Sequence, residues 1–204
     1  MLASASPRRL QVLERVGLTP DLLNPSDIDE LPHKRETPRA LSIRLAKEKA
    51  QRALEMPLVK ELGPNAFVLA ADTVVGLGRR ILPKAETVDQ ARDCLSLLSG
   101  RSHWVYSSVC LIAPGQKLSS RCVETKVRFK RLSREDVDSY IACNEWRGKA
   151  GGYAIQGRAE AFVRLLTGSH SAVVGLPLYE TVHLLEGAGY PVFHSWMTAP
   201  QSEV

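Results

Sequence analysis

The hydrophobic pattern of the chain is clearest at 67–75, where the sequence reads FVLAADTVV. A short apolar run without helical spacing predicts a buried strand. Asp72 interrupts this run, and a carboxylate in a buried strand is costly unless it is hydrogen-bonded, paired or bound to a metal. The rest of the chain must therefore supply a partner for Asp72.

Two helices are predicted from a hydroxyl residue followed by proline, which is a typical helix start. The first begins at Ser6 and ends at Gly17, and the second runs from Thr37 to about Glu55. Lys49 lies inside the apolar arc of the second helix. That position fits a buried stem with its ammonium in water, and it fits equally an ammonium directed into a polar cleft.

The first turn of the first helix carries Arg8 and Arg9, although a helix N-terminus is already partly positive and favours acidic residues. Together with free backbone N–H groups and the hydroxyls of Ser4 and Ser6, these arginines describe an anion site suited to a polyphosphate. The alternative is that both arginines are solvated. We favour the anion site, because Asp or Glu is the expected choice in that turn.

The remaining strands follow a period of two. Alternation over 102–129 around a Pro-Gly turn predicts a long antiparallel hairpin, and shorter strands are predicted at 18–23 and 162–166. Helices and antiparallel strands together predict an α/β or α+β fold, with a mixed sheet bent around a cleft. Residues from about 194 are expected to form a loose tail.

Composition narrows the function classes. The chain has 204 residues, enough for one substantial domain, and a net charge of +5. It has no Lys/Arg run with interleaved aromatics, so we expect no nucleic-acid partner, whereas a small anionic substrate fits the charge. No apolar run approaches a membrane span, and the four cysteines form no CxxC pair. We therefore predict a cytoplasmic protein with reduced cysteines.

Two loops carry further candidate residues. A polar loop at 24–38 contains Glu30 in a cluster of acids, which is either solvated or a source of a metal-binding carboxylate. A glycine-rich loop at 144–157 can approach a ligand closely, and its Gln156 offers both a donor and an acceptor to a base edge. Lys84 follows a short hairpin and should lie near Asp72.

Five motifs then occur in order, and together they closely resemble those of the Maf family of nucleoside triphosphate pyrophosphatases. The resemblance runs from residue 2 to about residue 186. Any one motif is weak, but five in the same order are specific. They are SASPRR at 4–9, AADTVV at 70–75, LSGRSH at 98–103, KAGGYAIQG at 149–157 and VVGLPLYET at 173–181.

The resemblance implies an inosine triphosphate pyrophosphatase-like fold, with two lobes around a central cleft. It also implies hydrolysis of a nucleoside triphosphate to the monophosphate and pyrophosphate with a divalent cation such as Mg²⁺, Mn²⁺ or Co²⁺. By match, Asp72 is the proton acceptor, and with Glu30 it is our candidate metal ligand. Lys49 and Lys84 match charged groups of the phosphate cleft, as does Glu30.

Substrate choice is implied for Arg8, Thr73 and Gln156, and the last two resemble the branch that acts on dTTP and UTP. Two alternatives stay open at this point. One is hydrolysis of 7-methyl-GTP or another purine triphosphate, and the other is a non-catalytic nucleotide-binding regulator of septum formation. Members of the family are often homodimers, so a homodimer is also an expectation.

Overall fold

The computed structural model describes residues 1–198, which form helices on both sides of one central sheet. The helices are α1 (Pro7–Glu14), α2 (Pro38–Leu54), α3 (Pro57–Glu61), α4 (Val88–Leu98), α5 (Arg134–Ala142), α6 (His170–Val174), α7 (Leu178–Gly187) and α8 (His194–Thr198). The strands are β1 (Val68–Leu77), β2 (Arg80–Leu82), β3 (Lys84–Ala85), β4 (Ser102–Ala113), β5 (Lys117–Phe129), β6 (Lys149–Ala150) and β7 (Val163–Thr167).

The main sheet has the strand order β2-β1-β4-β5-β7, and every named pair in it is antiparallel. Strands β3 and β6 form a separate antiparallel pair. Parallel pairing is limited, among the described residues, to two isolated bridges of Leu2, one with Leu69 and one with Leu23. The strand predicted at 18–23 is therefore wrong: a single bridge forms there, because the segment reaches the sheet only through Leu2.

Helix α2 lies against β1 and brings Lys49 to the sheet. The helix begins as predicted, with the Thr37 hydroxyl accepting from the backbone N–H of Ala40 at 3.2 Å. At this end the helix approaches the strand very closely, since a Cβ added to Gly76 would lie 2.8 Å from Cγ of Pro38. Glycine at this position therefore permits the close packing of the helix on the strand.

The glycine-rich loop at 144–157 is anchored by buried aromatic side chains. Trp146 is fully buried and donates from Nε1 to the carbonyl of Ile141 at 2.9 Å. Tyr153 lies beside His103, with its hydroxyl 2.8 Å from Nε2 of that ring. Burial lowers the pKa of His103 to about 4, so its ring is neutral at ordinary pH. The loop is thus a fixed wall and not a linker.

The predicted mixed α/β class is confirmed, as are both hairpins and the two proline-started helices. The tail expected from about 194 begins with a short helix, α8, and residues 199–204 lie outside the described part of the chain. In the described part, no helix is long and apolar enough to cross a membrane.

Candidate active site

A cleft of about 700 Å³ opens between the N-terminus of α1, the middle of β1 and the glycine-rich loop. It is the place where the sequence predictions converge, because residues from distant parts of the chain meet there. All of the predicted site residues line it: Ser4, Arg8, Arg9, Glu30, Lys49, Asp72, Thr73, Lys84 and Gln156.

Lys49 is the partner of Asp72. Its Nζ lies 2.6 Å from Oδ1 of Asp72 and 2.6 Å from Oε1 of Glu30, and the side chains of Lys49 and Asp72 are buried. The other oxygen of Glu30 pairs with the ammonium of Lys84. Of the two positions open for Lys49, the structure therefore has the ammonium in the cleft, with two carboxylates bridged by it.

The electrostatics of Glu30 follow from this bridge. Burial alone would raise the pKa of Glu30, but the hydrogen bonds and charges of Lys49 and Lys84 outweigh burial and lower the pKa to about 2. Glu30 is therefore ionised at every physiological pH. The loop acid that sequence alone left open between solvent and site belongs to the site.

Arg9 occupies the opposite wall of the cleft. It donates from Nε to the carbonyl of Gly175 at 2.9 Å and from Nη1 to the hydroxyl of Ser4 at 3.0 Å. Ser4 also accepts from the backbone N–H of Ser6 at 3.1 Å, which orders the start of α1. Burial lowers the pKa of Arg9, while the charges of Asp72 and Glu30 act to raise it. Arg9 is thus held in place and is not an indifferent, solvated side chain.

Arg8 and Lys149 add positive charge to the same wall. The Nε of Arg8 is buried and has no hydrogen-bond partner among the described residues. Burial lowers the pKa of Arg8, and the neighbouring charge of Arg9 lowers it further. Burial lowers the pKa of Lys149 too, followed by the charge of Arg8. Three neighbouring cations, two of which have a pKa lowered by the next cation, and one buried donor without a partner describe a site for an anion.

Sequence reasoning missed Lys149 as a site residue, and it also missed Ser107. The Ser107 hydroxyl is fully buried under Thr73, 2.9 Å from the Thr73 hydroxyl, and it donates to the carbonyl of Ala172. Its signal was available, because it is the polar member of an alternating apolar face with Val105 and Val109. Ser107 does not line the cleft, but Thr73 does.

Gln156 lies exposed at the rim of the cleft, on the anchored loop. Its side chain makes no hydrogen bond within residues 1–198, so both its donor and its acceptor are available. Next to it, Glu145 accepts from the backbone N–H of Arg158 at 2.7 Å. A Cβ on Gly157 would lie 2.1 Å from that carboxylate, so a side chain there would displace Glu145 from this hydrogen bond.

The donors present suit a hard divalent cation held jointly with a substrate. Asp72 and Glu30 supply two carboxylates at one point of the cleft, since both contact the same ammonium. Mg²⁺ typically takes one or two carboxylates plus phosphate oxygens and water. Within the described residues no group of three or more His, Cys, Asp or Glu could hold a metal ion by itself. The residues thus fit a shared site and not a closed protein cage.

Comparison with known proteins identifies the family of the chain. The family described as Maf-like protein matches residues 1–188. A protein of Mesorhizobium japonicum named dTTP/UTP pyrophosphatase is 58% identical over 98% of this chain and 96% of its own length. A Rhodopseudomonas palustris protein and a Chelativorans protein of the same name are each 57% identical, over 98% of this chain and 96% of their own length.

Among solved structures, a crystal structure of a nucleoside-triphosphatase, dITP/XTP pyrophosphatase, from Mycobacterium abscessus aligns with a TM-score of 0.39. The identity is 16%, and the alignment covers 64% of this chain and 72% of that one. A similarity at that score carries no argument. The fold stands on the sheet and helices of this chain.

Proposed function

This chain belongs to the Maf-like protein family, and from that premise we propose that it hydrolyses dTTP and UTP to the monophosphate and pyrophosphate. The observation that carries the proposal is the bridge of Lys49 between Asp72 and Glu30 in a cleft that also holds Arg8 and Arg9. Carboxylates beside an excess of cations suit a reaction in which water attacks a polyphosphate.

Asp72 would act as the general base. It sits in the middle of β1, opposite Ser108 of β4, and the ammonium of Lys49 contacts its carboxylate, which therefore has little freedom. A base positioned in this way can take a proton from water as the water attacks the α-phosphorus. Phosphoryl chemistry depends mainly on positioning and on charge stabilisation, and a rigid strand supplies the first of these.

The cations of the cleft would stabilise the negative charge that moves onto the leaving pyrophosphate. Lys49 and Lys84 reach the cleft from the side of Glu30, and Arg9 is fixed on the opposite wall. A triphosphate bound between them would exchange its water shell for oriented donors that need no rearrangement during the reaction. The N-terminus of α1 would add backbone N–H groups for phosphate oxygens.

A divalent cation would be held by Asp72 and Glu30 together with the phosphates. Such an ion would neutralise phosphate charge and lower the pKa of a bound water. Lys49 would still orient the two carboxylates, since it contacts both Asp72 and Glu30. Which cation serves best is a question for titration of the purified protein.

A pyrophosphate-release assay over normal and modified triphosphates tests the proposal. We expect turnover of dTTP and UTP with Mg²⁺, Mn²⁺ or Co²⁺, and a loss of about 10²- to 10⁴-fold in Asp72→Asn, the range expected for a general base. Asp138→Asn is the matched control, since Asp138 pairs with Arg92 outside the cleft and should leave turnover unchanged.

The same assay separates the alternatives. Preferred turnover of 7-methyl-GTP would replace the pyrimidine assignment. Nucleotide binding without pyrophosphate release under any of the three metals would replace the enzyme with a binding protein. Full activity in Asp72→Asn would remove Asp72 as the base.

We also propose a cytoplasmic location and a homodimer. The four cysteines all lie in the described part of the chain and are free thiols, which suits a reducing compartment. Light scattering of the purified protein measures the oligomeric state, and a monomeric mass at micromolar concentration would contradict the dimer.

A further inference from the structure

Two hydroxyls on neighbouring strands form a hydrogen-bonded chain beside the cleft. The Ser107 Oγ contacts the carbonyl oxygen of Ala172 and lies 2.9 Å from the Thr73 Oγ1. A carbonyl oxygen only accepts, so the single proton of the Ser107 hydroxyl is committed to Ala172. Ser107 then has only lone pairs left for its neighbour. The contact between the two hydroxyls therefore has a fixed direction, in which Thr73 donates and Ser107 accepts.

The second neighbour of Thr73 is a much weaker acceptor. The carbonyl oxygen of Gly175 lies 3.4 Å from the Thr73 Oγ1, beyond the usual O–H···O distance, whereas the Ser107 Oγ lies at 2.9 Å. The Thr73 proton therefore goes to Ser107 and is used inside the protein. Thr73 also lines the cleft. What it presents to a ligand is therefore a lone pair, the mark of an acceptor and not of a donor.

Gln156 differs from Thr73 in this respect. Its amide has no hydrogen-bond partner within residues 1–198, so it can turn either its oxygen or its NH₂ group to a ligand. An amide that is free to flip satisfies a uracil edge and a cytosine edge equally well. Discrimination between these bases needs a group of fixed polarity, and the Ser107–Thr73 chain supplies one.

We propose that Ser107 is a positioning residue, which holds Thr73 as an acceptor for the imide N–H shared by uracil and thymine. The proposal rests on the proposed action on dTTP and UTP, whose bases share this donor. Cytosine carries a lone pair at the same ring nitrogen, and two facing acceptors leave both groups unpaired in a partly buried site. Sites of this kind reject an analogue much more strongly than apolar pockets do.

The imide is a better match than a sugar hydroxyl. A ribose hydroxyl both donates and accepts, so it could bind Thr73 in either orientation and would gain nothing from a fixed direction. An imide N–H cannot reverse. The fixed direction of the Thr73–Ser107 hydrogen bond therefore affects the binding only of a ligand group that is always a donor or always an acceptor.

The test compares the affinities of the α,β-imido analogues of dUTP and dCTP, which resist cleavage, by titration calorimetry. In Ser107→Ala the Thr73 hydroxyl loses its near acceptor and can rotate to donate to cytosine. We expect the preference for the dUTP analogue over the dCTP analogue to fall by about fivefold or more, the value of one hydrogen bond. Much of that fall should come from tighter binding of the dCTP analogue.

Ser108→Ala is the matched control. Ser108 is the next residue of β4, is equally buried, pairs with the Ser42 hydroxyl at 2.9 Å on the α2 face of the sheet, and does not line the cleft. A merely structural role of Ser107 would weaken binding of both analogues equally, as any packing defect does. That outcome, or an unchanged preference in a folded Ser107→Ala protein, would overturn the proposal.

Ser107→Cys serves if the alanine variant does not fold, since the thiol is a weak acceptor of similar size and should still lower the preference. An unchanged preference in that variant overturns the inference.

Failure of the proposed function and failure of the role of Ser107 give different results. Absence of pyrophosphate release from dTTP and UTP by the wild-type protein refutes the proposed function. Release of pyrophosphate with an unaltered analogue preference refutes only the role of Ser107.

Discussion

Asp72 and Thr73 are neighbours in β1, yet they belong to two different chemical environments. Successive side chains of a strand point to opposite faces, so Asp72 faces α2 and Thr73 faces α6. The α2 face holds charges: Asp72, Glu30 and the ammonium of Lys49. Apart from Arg9, which donates to the carbonyl of Gly175, the α6 face around Thr73 is neutral and holds hydroxyls and carbonyl oxygens. One strand thus supplies two environments to one cleft.

The difference between the faces suggests a division of labour. Charges act over several ångströms and respond to a moving negative charge, so they suit the reacting phosphates. A hydroxyl of fixed direction acts only at contact distance and distinguishes a donor from an acceptor. We therefore expect changes on the charged face to reduce turnover for all substrates, and changes on the neutral face to alter the choice among them.

After Asp72→Asn, the largest effect is expected from Lys49→Met on the charged face. Removal of the ammonium leaves two carboxylates without their shared cation and removes charge stabilisation for the phosphates. We expect turnover of every triphosphate to fall about 10²- to 10³-fold. The melting temperature should also fall, because breaking a buried ion pair leaves an uncompensated charge. Steady-state kinetics and calorimetry measure the two effects.

Lys47→Met is the matched control for Lys49, two residues earlier on the same helix and outside the cleft. Its activity should equal that of the wild-type protein. A selective loss for one base in Lys49→Met, with others retained, would break the proposed division between the faces.

A smaller effect is expected from Thr73→Val on the neutral face. Valine keeps the shape of the side chain and removes the hydroxyl, so the charged face stays intact. We expect turnover of UTP to fall about fivefold, and the ratio of UTP to CTP turnover to fall with it. Competition assays with both triphosphates in one reaction measure that ratio directly. An equal loss for both substrates would assign Thr73 to packing alone.

The smallest expected effect is a pH dependence of stability that comes from Glu30 on the charged face. The pKa of Glu30 is about 2 in the folded chain, below its ordinary value of 4.5. A depressed pKa contributes stability above pH 4.5, and that stability is lost as the pH falls toward 2. Glu30 is partly exposed, which reduces the magnitude. Denaturant unfolding at a series of pH values measures it.

Lys84→Met raises the pKa of Glu30 and should therefore flatten the stability curve between pH 4.5 and 2. Ser107→Ala has no titrating partner and should keep the wild-type slope there. His103, whose pKa is lowered from 6.5 to about 4, produces a separate loss between those two values in all of the proteins. A flattened curve in Ser107→Ala would contradict the separation of the faces.

The sequence predicted most elements and the membership of the cleft, because both depend on local signals. Proline after Ser6 or Thr37 starts a helix wherever the chain later packs, and period-two alternation persists along a whole hairpin. The five motifs added residues that no periodicity could bring together. Short elements such as β3 and β6 were missed, since two residues carry no pattern of their own.

Other features depend on long-range contacts and could not be read locally. Whether Lys49 reaches water or the cleft depends on where Glu30 lies, and Glu30 is in a loop without a regular pattern. The alternating pattern marked the burial of Ser107 but not its role, which comes from the carbonyl of Ala172, a group that every residue type possesses. A hydrogen bond to a backbone carbonyl cannot be predicted from the residue type that carries the carbonyl.

The contact between Pro38 and Gly76 affects the charged face from outside the cleft, because it helps to set the position of α2 on β1. Lys49 lies about 16 Å along the helix axis from Pro38, and Asp72 about 13 Å along the strand from Gly76. The helix and the strand run in opposite directions and are joined at both ends, by an ion pair at one and by close packing at the other. A substitution that separates Pro38 from Gly76 should therefore shift Lys49 relative to Asp72 and lower turnover, although neither residue lines the cleft.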